Sequence, residues 1–258
     1  MVNNKMNKLY NEDCEITFNR LEKNSVDLLL TDTPYGTTNL EWDKDLDLVN
    51  FWKNVKKVTK PTSAIIIFSK QPFTSKLLLS NQEMFRYELI WEKTRASNNF
   101  LIKKQPMQVH ENILVFYEKQ PTYNDLEYKI PEIYVDKRKS INNSKYTKGH
   151  YRGIMKRKKD NGLRHPFSIL PFNSVWCKNM HPTQKPIDLF EWIIRSYTNE
   201  NDIVFDPYIG SGTTYYACKN SNRYCIGSEN NKDYFNMINQ VPNQKQEELF
   251  RKVIVSWK

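Results

Sequence analysis

A chain of 258 residues carrying 15 Tyr, 13 Phe and 6 Trp can bury one large α/β core or two small ones, so its abundant Lys and Asn do not signal disorder. No apolar run approaches the roughly 20 residues of a membrane helix, and MVNNKMNKLY lacks a signal-peptide core, so a cytoplasmic protein with no membrane partner is expected. The net charge is +10, and the four cysteines (14, 177, 218 and 225) show neither CxxC spacing nor a nearby histidine pair, so reduced thiols and no metal site are expected.

NKLYNEDCEI reads as a short strand and turn, followed by a weakly amphipathic helix through FNRLEK. SVDLLLTD is a continuous apolar strand that ends in Asp32, the pattern of a strand buried on both faces. LDLVNFWKNVKKVT places Leu48, Phe51, Trp52, Val55 and Val58 at helical spacing, with Pro61 expected to stop the helix. SAIIIFS is a second buried strand, QPFTSKLLLSNQEMF a helix, and RYELIWEK and ENILVFYEK two further strands. From about 118 to 180 this rhythm stops. It resumes with KPIDLFEWIIRSYT as a helix, NDIVFD as a strand, GTTYYACKN as a helix and NRYCIGSE as a strand. Alternation of this kind predicts a doubly wound, mostly parallel α/β sheet covered on both faces.

The interrupted segment is also where the charge lies. Between Glu118 and Lys178 fourteen Lys and Arg stand against six Asp and Glu, a net +8 of the chain's +10. Such a segment is either a solvated basic loop or a surface for a polyanion such as DNA.

VFDPYIGSGTT, at 204–214, has the layout of a cofactor turn: an apolar strand, two glycines, then a Thr pair able to cap a helix. No Lys follows Gly212, which excludes a P-loop, and GxGxxG is absent, which argues against a dinucleotide. An adenosyl cofactor without phosphates fits better. A second strand ends in Glu229, about 20 residues on, where a carboxylate can accept from ribose hydroxyls.

DPYIGSGTT resembles the cofactor motif of the S-adenosylmethionine-dependent DNA amino-methyltransferases. DTPY, at 32–35, resembles that family's catalytic tetrapeptide, and HPTQKP, at 181–186, a segment preceding the cofactor turn in one branch. The order of these motifs resembles the permuted beta class, and ELIWEKT and HENILVFYEKQPTYN resemble small phage-type adenine-N6 enzymes. The resemblance spans YNEDC to SENNKDYF and implies a Rossmann-like methyltransferase fold. It divides the chain into a catalytic part (1–117), a basic target-recognition insertion (118–180) and a cofactor-binding part (181–258). Thr33 departs from the pattern, standing where most relatives carry a first proline.

On this resemblance Asp32 and the Pro34 carbonyl accept the two hydrogens of an adenine amino group, and Tyr35 offers a face for the extruded base. Taken alone, TDTPYG is an ordinary strand-to-loop turn. The resemblance further assigns Asp206, Tyr208, Gly210 and Gly212 to the methionine end of S-adenosylmethionine, and Glu229 to its ribose. Asp32 belongs to the cofactor pocket as well as to catalysis. Asp13 and Cys14 would read the adenine edge, although the same residues suit a helix cap. Thr183 and Lys185 would approach the methionine carboxylate, against the alternative that Lys185 is an exposed charge near a helix start.

Double-stranded DNA is the expected partner. Lys137, Arg138, Lys139, Arg152, Lys156, Arg157, Lys158 and Lys159 are the candidate contacts, with the KRKK run suited to phosphates or to solvent. A homodimer through the apolar helices near 46–58 and 72–85 is a further implication of the resemblance. An N4-cytosine enzyme on the same scaffold, or a decayed DNA-binding relative, remain the alternatives.

Overall fold

The computed structural model describes residues 6–35, 45–98, 101–126, 128–129, 163–174 and 185–240. Contacts group the described residues up to Asn124 and from Phe167 onward into one unit, and those between Asp125 and Pro166 into another.

The larger unit opens with β1 (Lys8–Tyr10) and α1 (Cys14–Arg20). The helix begins earlier than FNRLEK because Asp13 caps it, its carboxylate accepting from the Glu15 amide at 2.8 Å. β2 (Val26–Asp32) is the SVDLLLTD strand, with Val26 and Leu28–Leu30 fully buried. α2 (Leu48–Val58) buries Phe51, Trp52, Val55 and Val58 along one stripe and starts at Asp47, whose side chain accepts from the amides of Val49 and Asn50. The helix stops at Val58, before Pro61. β3 (Thr59–Ser69) follows directly and takes Pro61 into its exposed first turn of chain. α3 (Phe73–Ser80) is shorter than its predicted span, and β4 (Phe85–Lys93) and β5 (His110–Phe116) follow.

In the smaller unit β6 (Tyr128–Lys129) and β7 (Leu163–Arg164) pair antiparallel, and the His165 ring meets the Asp125 carboxylate. The larger unit resumes with β8 (Ile169–Phe172), a strand inside the segment that has no rhythm in sequence. α4 (Ile187–Tyr197), β9 (Ile203–Asp206), α5 (Thr213–Asn220), β10 (Tyr224–Ser228) and α6 (Lys232–Gln240) complete it.

The eight strands of the larger unit form one sheet in the order β1-β10-β9-β2-β3-β5-β4-β8. Every neighbouring pair is parallel except the two made by β5, so seven strands point one way and β5 is reversed. One face carries Leu28, Leu30, Ile66 and Phe68 under α4, α5 and Ile238 of α6. The other carries Leu29, Ile65, Ile67 and Phe205 under Phe18 of α1 and the stripes of α2 and α3. The result is the doubly wound, mostly parallel α/β sheet that the alternation predicts. The apolar faces of α2 and α3 thus lie on the sheet, leaving Val49 and Leu79 exposed.

At the centre, β2 and β9 are neighbours, with Leu28 opposite Val204 and Leu29 opposite Phe205. The strand following β2 lies on one side of this pair and the strand following β9 on the other. The chains leaving the two C-terminal ends therefore diverge and leave a crevice, the usual place for a ligand in an open parallel sheet.

Candidate active site

The crevice holds a cavity of about 260 Å3, into which the ends of β2 and β9 project Asp32, Thr33, Pro34 and Tyr35 from one side and Asp206 to Gly210 from the other. Two residues far apart in sequence lock these ends together: the buried Thr31 hydroxyl donates to Oδ1 of Asp206 at 2.8 Å.

Asp206 organises the turn that follows it. Its second oxygen accepts from the Thr214 hydroxyl at the start of α5, and Oδ1 also accepts from the Tyr208 amide at 3.1 Å. Burial pushes this carboxyl up to about 7, against the opposing pull of the bonds from Thr214, Thr31 and Tyr208. Gly210 and Gly212 both have positive φ, +54° and +93°, which side chains rarely adopt. A side chain at Gly212 would press on Ile238 of α6 at 3.0 Å, whereas Gly210 faces open space. The Gly210 amide donates to Oε2 of Glu229 at 3.0 Å and the Asn231 amide to Oε1 at 2.8 Å. Each oxygen of Glu229 keeps a lone pair for a further donor. Below the turn, Gly227 of β10 makes room for Ile209: a Cβ there would lie 2.3 Å from its Cδ1.

Asp13 and Cys14 reach the same cavity from the start of α1. Asp13 thus caps the helix and lines the cavity at once. The Cys14 thiol donates to the Tyr208 hydroxyl at 3.4 Å, and burial raises it to about 11, so it stays protonated and is no nucleophile.

On the β2 side, the Tyr35 hydroxyl donates to Oδ1 of Asp32, and its ring packs on Phe73 at 5.5 Å between centroids. Thr33 is buried, and its hydroxyl finds no hydrogen-bond partner among the described residues. Lys185 is buried, not an exposed charge at a helix start: its ammonium bonds Oδ2 of Asp32 and lies 3.3 Å from Oε2 of Glu111. Glu111, at the start of β5, also holds Lys93 of β4, and Lys70 after β3 at 3.4 Å. Burial opposes the charge on Glu111, yet the lysines Lys185, Lys93 and Lys70 outweigh it and hold the carboxyl below its usual range.

The sequence points to neither Glu111 nor Lys70, although both line the cavity. The available signal is a Glu opening the apolar run ENILVF and a Lys closing IIIFSK, each a charge at the end of a buried strand. Of the expected site residues, Asp13, Cys14, Asp32, Pro34, Tyr35 and Lys185 meet Asp206, Tyr208, Gly210 and Glu229 around one cavity. Gly212 sits behind the turn against Ile238. Thr183, Lys137, Arg138, Lys139, Arg152, Lys156, Arg157, Lys158 and Lys159 lie outside the described residues.

Sequence comparison matches residues 26–240 to the DNA methylase family N6_N4_Mtase. The chain belongs to this N6/N4 DNA methylase family. The type II methyltransferase M.HpaI of Haemophilus parainfluenzae is 32% identical over 236 residues, covering 85% of this chain and 69% of that protein. M1.MboII of Moraxella bovis is 28% identical over 268 residues, covering 93% and 97% respectively. Among solved structures, the complex of M1.HpyAVI with S-adenosylmethionine superposes with a TM-score of 0.61 at 26% identity, over 91% of this chain and 99% of that one. The cytosine-N4-specific PvuII methyltransferase shares the fold, with a TM-score of 0.64 at 16% identity over 95% and 91%.

S-adenosylmethionine is the cofactor of the N6/N4 methylases, and the cavity fits it. Gly210 faces open space where a ligand can reach the backbone, and Glu229 offers paired acceptors at the edge. Among the described residues no group of three His, Cys, Asp or Glu could hold a metal ion, and no helix is long and apolar enough to cross a membrane.

Proposed function

We propose that this N6/N4 methylase transfers a methyl group to the N6 amino group of adenine in double-stranded DNA, in the permuted beta-class arrangement. The observation that carries the reading is Asp32, at the C-terminal end of β2, with its carboxylate beside a cavity shared with the glycine turn of β9. Bound S-adenosylmethionine supplies an electrophilic methyl group there.

An exocyclic amino nitrogen is a poor nucleophile while its lone pair is delocalised into the ring. Oδ1 of Asp32 and the Pro34 carbonyl accept its two hydrogens, which favours a pyramidal nitrogen with a directed lone pair. The Tyr35 hydroxyl, now on Oδ1, gives way to the arriving amino group. Its ring then offers the stacking face that flipped bases use. Lys185 holds the other oxygen of Asp32, so the group acts as an acceptor rather than as a base. The proton leaves the product after methyl transfer. Positioning and electrostatics carry most of the acceleration. Glu229 serves the ribose hydroxyls, and the backbone of the Tyr208–Gly210 turn the methionine end. The basic residues between 118 and 178 supply phosphate contacts and, with neighbouring polar side chains, base readout.

The test is to incubate the protein with DNA of diverse sequence and methyl-labelled S-adenosylmethionine, then digest the DNA and identify the labelled nucleoside. N6-methyladenine is expected. N4-methylcytosine would keep the mechanism and overturn the base assignment, and unlabelled DNA despite bound cofactor would leave a decayed binding protein.

A further inference from the structure

We propose that Glu111 is a positioning residue for methyl transfer: from β5 it draws the Lys185 ammonium onto Oδ2 of Asp32 alone, leaving Oδ1 for the substrate amino group. This inference rests on the reading of Asp32 as the amino-group acceptor.

Four strand ends contribute to the cluster. Asp32 closes β2, Lys70 follows β3, Lys93 closes β4 and Glu111 opens the reversed β5, so all four lie at the same edge of the sheet. Lys185 enters just before Pro186, the cap of α4, and its ammonium lies 5.5 Å from the centre of the Phe68 ring. The side chains of Lys93, Glu111 and Lys185 are 7%, 6% and 6% exposed, so these charges have left water. Stability does not require such a cluster, because apolar residues of similar volume serve a core as well or better. Direction is what the cluster adds.

Lys185 stands between two carboxylates. It bonds one oxygen of Asp32 and is held 3.3 Å from Oε2 of Glu111, an ion pair without hydrogen-bond alignment. Oε1 of Glu111 is fixed independently by Lys93 and Lys70. Without the pull of Glu111 the flexible ammonium is free to straddle both oxygens of Asp32, covering the one that the amino group needs.

A pH signature follows. The charged groups facing Lys185 are the anions Asp32 and Glu111 and the cations Lys93 and Lys70. Burial disfavours its charge, and the two carboxylates more than restore it, raising the ammonium above its ordinary value. Removing Glu111 leaves one anion against two cations, so Lys185 loses its proton at lower pH and releases Asp32.

The experiment compares wild type, Glu111→Gln, Glu111→Asp, the double variant Glu111→Gln/Lys93→Met and Asp32→Ala. Methyl-transfer rates are taken across pH 6.5–10, with S-adenosylmethionine affinity from calorimetry and folding from circular dichroism. For Glu111→Gln the expected result is a kcat at least tenfold lower, a cofactor Kd within about threefold, and an alkaline fall in rate inside this pH range, where wild type stays flat because its Lys185 ammonium is held above its ordinary value. Glu111→Asp, which keeps the charge on a shorter arm, should recover the pH profile and part of the rate. The double variant removes a buried pair together and so avoids stranding Lys93, and it should fold while keeping the lower kcat, with a smaller profile shift because one facing cation has gone as well. Restoration of wild-type kcat in the double variant would show that Glu111 only neutralises Lys93, and would overturn the proposal. So would a Glu111→Gln variant that loses rate and cofactor affinity together with an unmoved pH profile. Asp32→Ala separates the two readings. If it is inactive while Glu111→Gln behaves as wild type, only this inference fails; if it retains the wild-type rate, the Asp32 reading fails and takes this inference with it.

Discussion

Replacing Asp206 with Asn tests whether the cofactor turn is pinned by a carboxylate or by its protonated form. The side chain is buried, accepts from Thr31, Thr214 and the Tyr208 amide, and has its pKa pushed by that burial from 3.8 to about 7. Between those values the folded protein holds a proton that the unfolded chain has lost. The group's stabilising contribution is therefore complete below about pH 4 and disappears as pH rises through about 7. A rise of about three units at ~1.4 kcal/mol each sets a ceiling of ~4 kcal/mol on the effect. Because the carboxyl lines a cavity open to solvent, we expect about half, ~2 kcal/mol.

Asn preserves the bonding, since its amide oxygen accepts from Thr31 and the Tyr208 amide while its NH2 donates to the Thr214 hydroxyl. Urea unfolding of both proteins at steps from pH 4.5 to 8 isolates the group, because all other titrations cancel in the difference. Wild-type stability minus variant stability should fall by ~2 kcal/mol across that range. A difference that is flat, or that grows with pH, would refute the reasoning and mean that Asp206 is ionised in the folded protein throughout.

Gly227→Ala would place a methyl 2.3 Å from Cδ1 of Ile209 and push the cofactor turn outward. We expect a stability loss of ~1–3 kcal/mol and a cofactor Kd at least tenfold weaker by calorimetry, both partly reversed by adding Ile209→Ala. Tyr35→Phe should keep the rate within a few fold, because the ring on Phe73 remains and Oδ1 of Asp32 is freed. Tyr35→Ala should lose on the order of 10–100-fold in kcat/KM for DNA, the worth of one base-stacking contact. Phe205→Ala empties a fully buried ring site that meets Phe18 edge-on at 5.0 Å. It should cost about 3–5 kcal/mol in chemical unfolding.

Much of this site is legible because its residues end strands. Asp32, Asp206 and Glu229 each follow an apolar run, and a run that stops on a carboxylate marks the C-terminal edge of a parallel sheet. Asp13 is legible twice over, as a cap and as a cavity residue, and the structure shows both. Lys185 is half legible: HPTQKP makes it a candidate for the cavity without saying whether it points inward or out, and the structure places it on the cavity. Glu111, Lys93 and Lys70 are less so: one charge in a strand is ordinary, and only the strand order brings three of them together. β8 is hidden by its length and by Pro171, which a sheet tolerates at an edge. α6 has a signal that the sequence reading misses. Asn231 accepts from the amides of Asp233 and Tyr234 as an N-cap, ahead of apolar residues at helical spacing.

The DTPY and DPYIGSGTT motifs lie far apart in sequence, yet both line one cavity, and the sheet explains why. Two motifs that share a cavity need only lie on neighbouring strands that point the same way, and β2 and β9 satisfy that across 175 residues of sequence between Thr31 and Asp206. What couples the two motifs is thus a short strand pairing and one buried hydroxyl-to-carboxyl bond rather than chain continuity. Thr31 is the residue that joins them: its backbone belongs to the strand that presents Asp32, and its side chain to the carboxyl that shapes the glycine turn. A change at Thr31 should therefore register at both ends of the cavity at once, in cofactor affinity and in the rate of transfer, although Thr31 itself does not line the cavity.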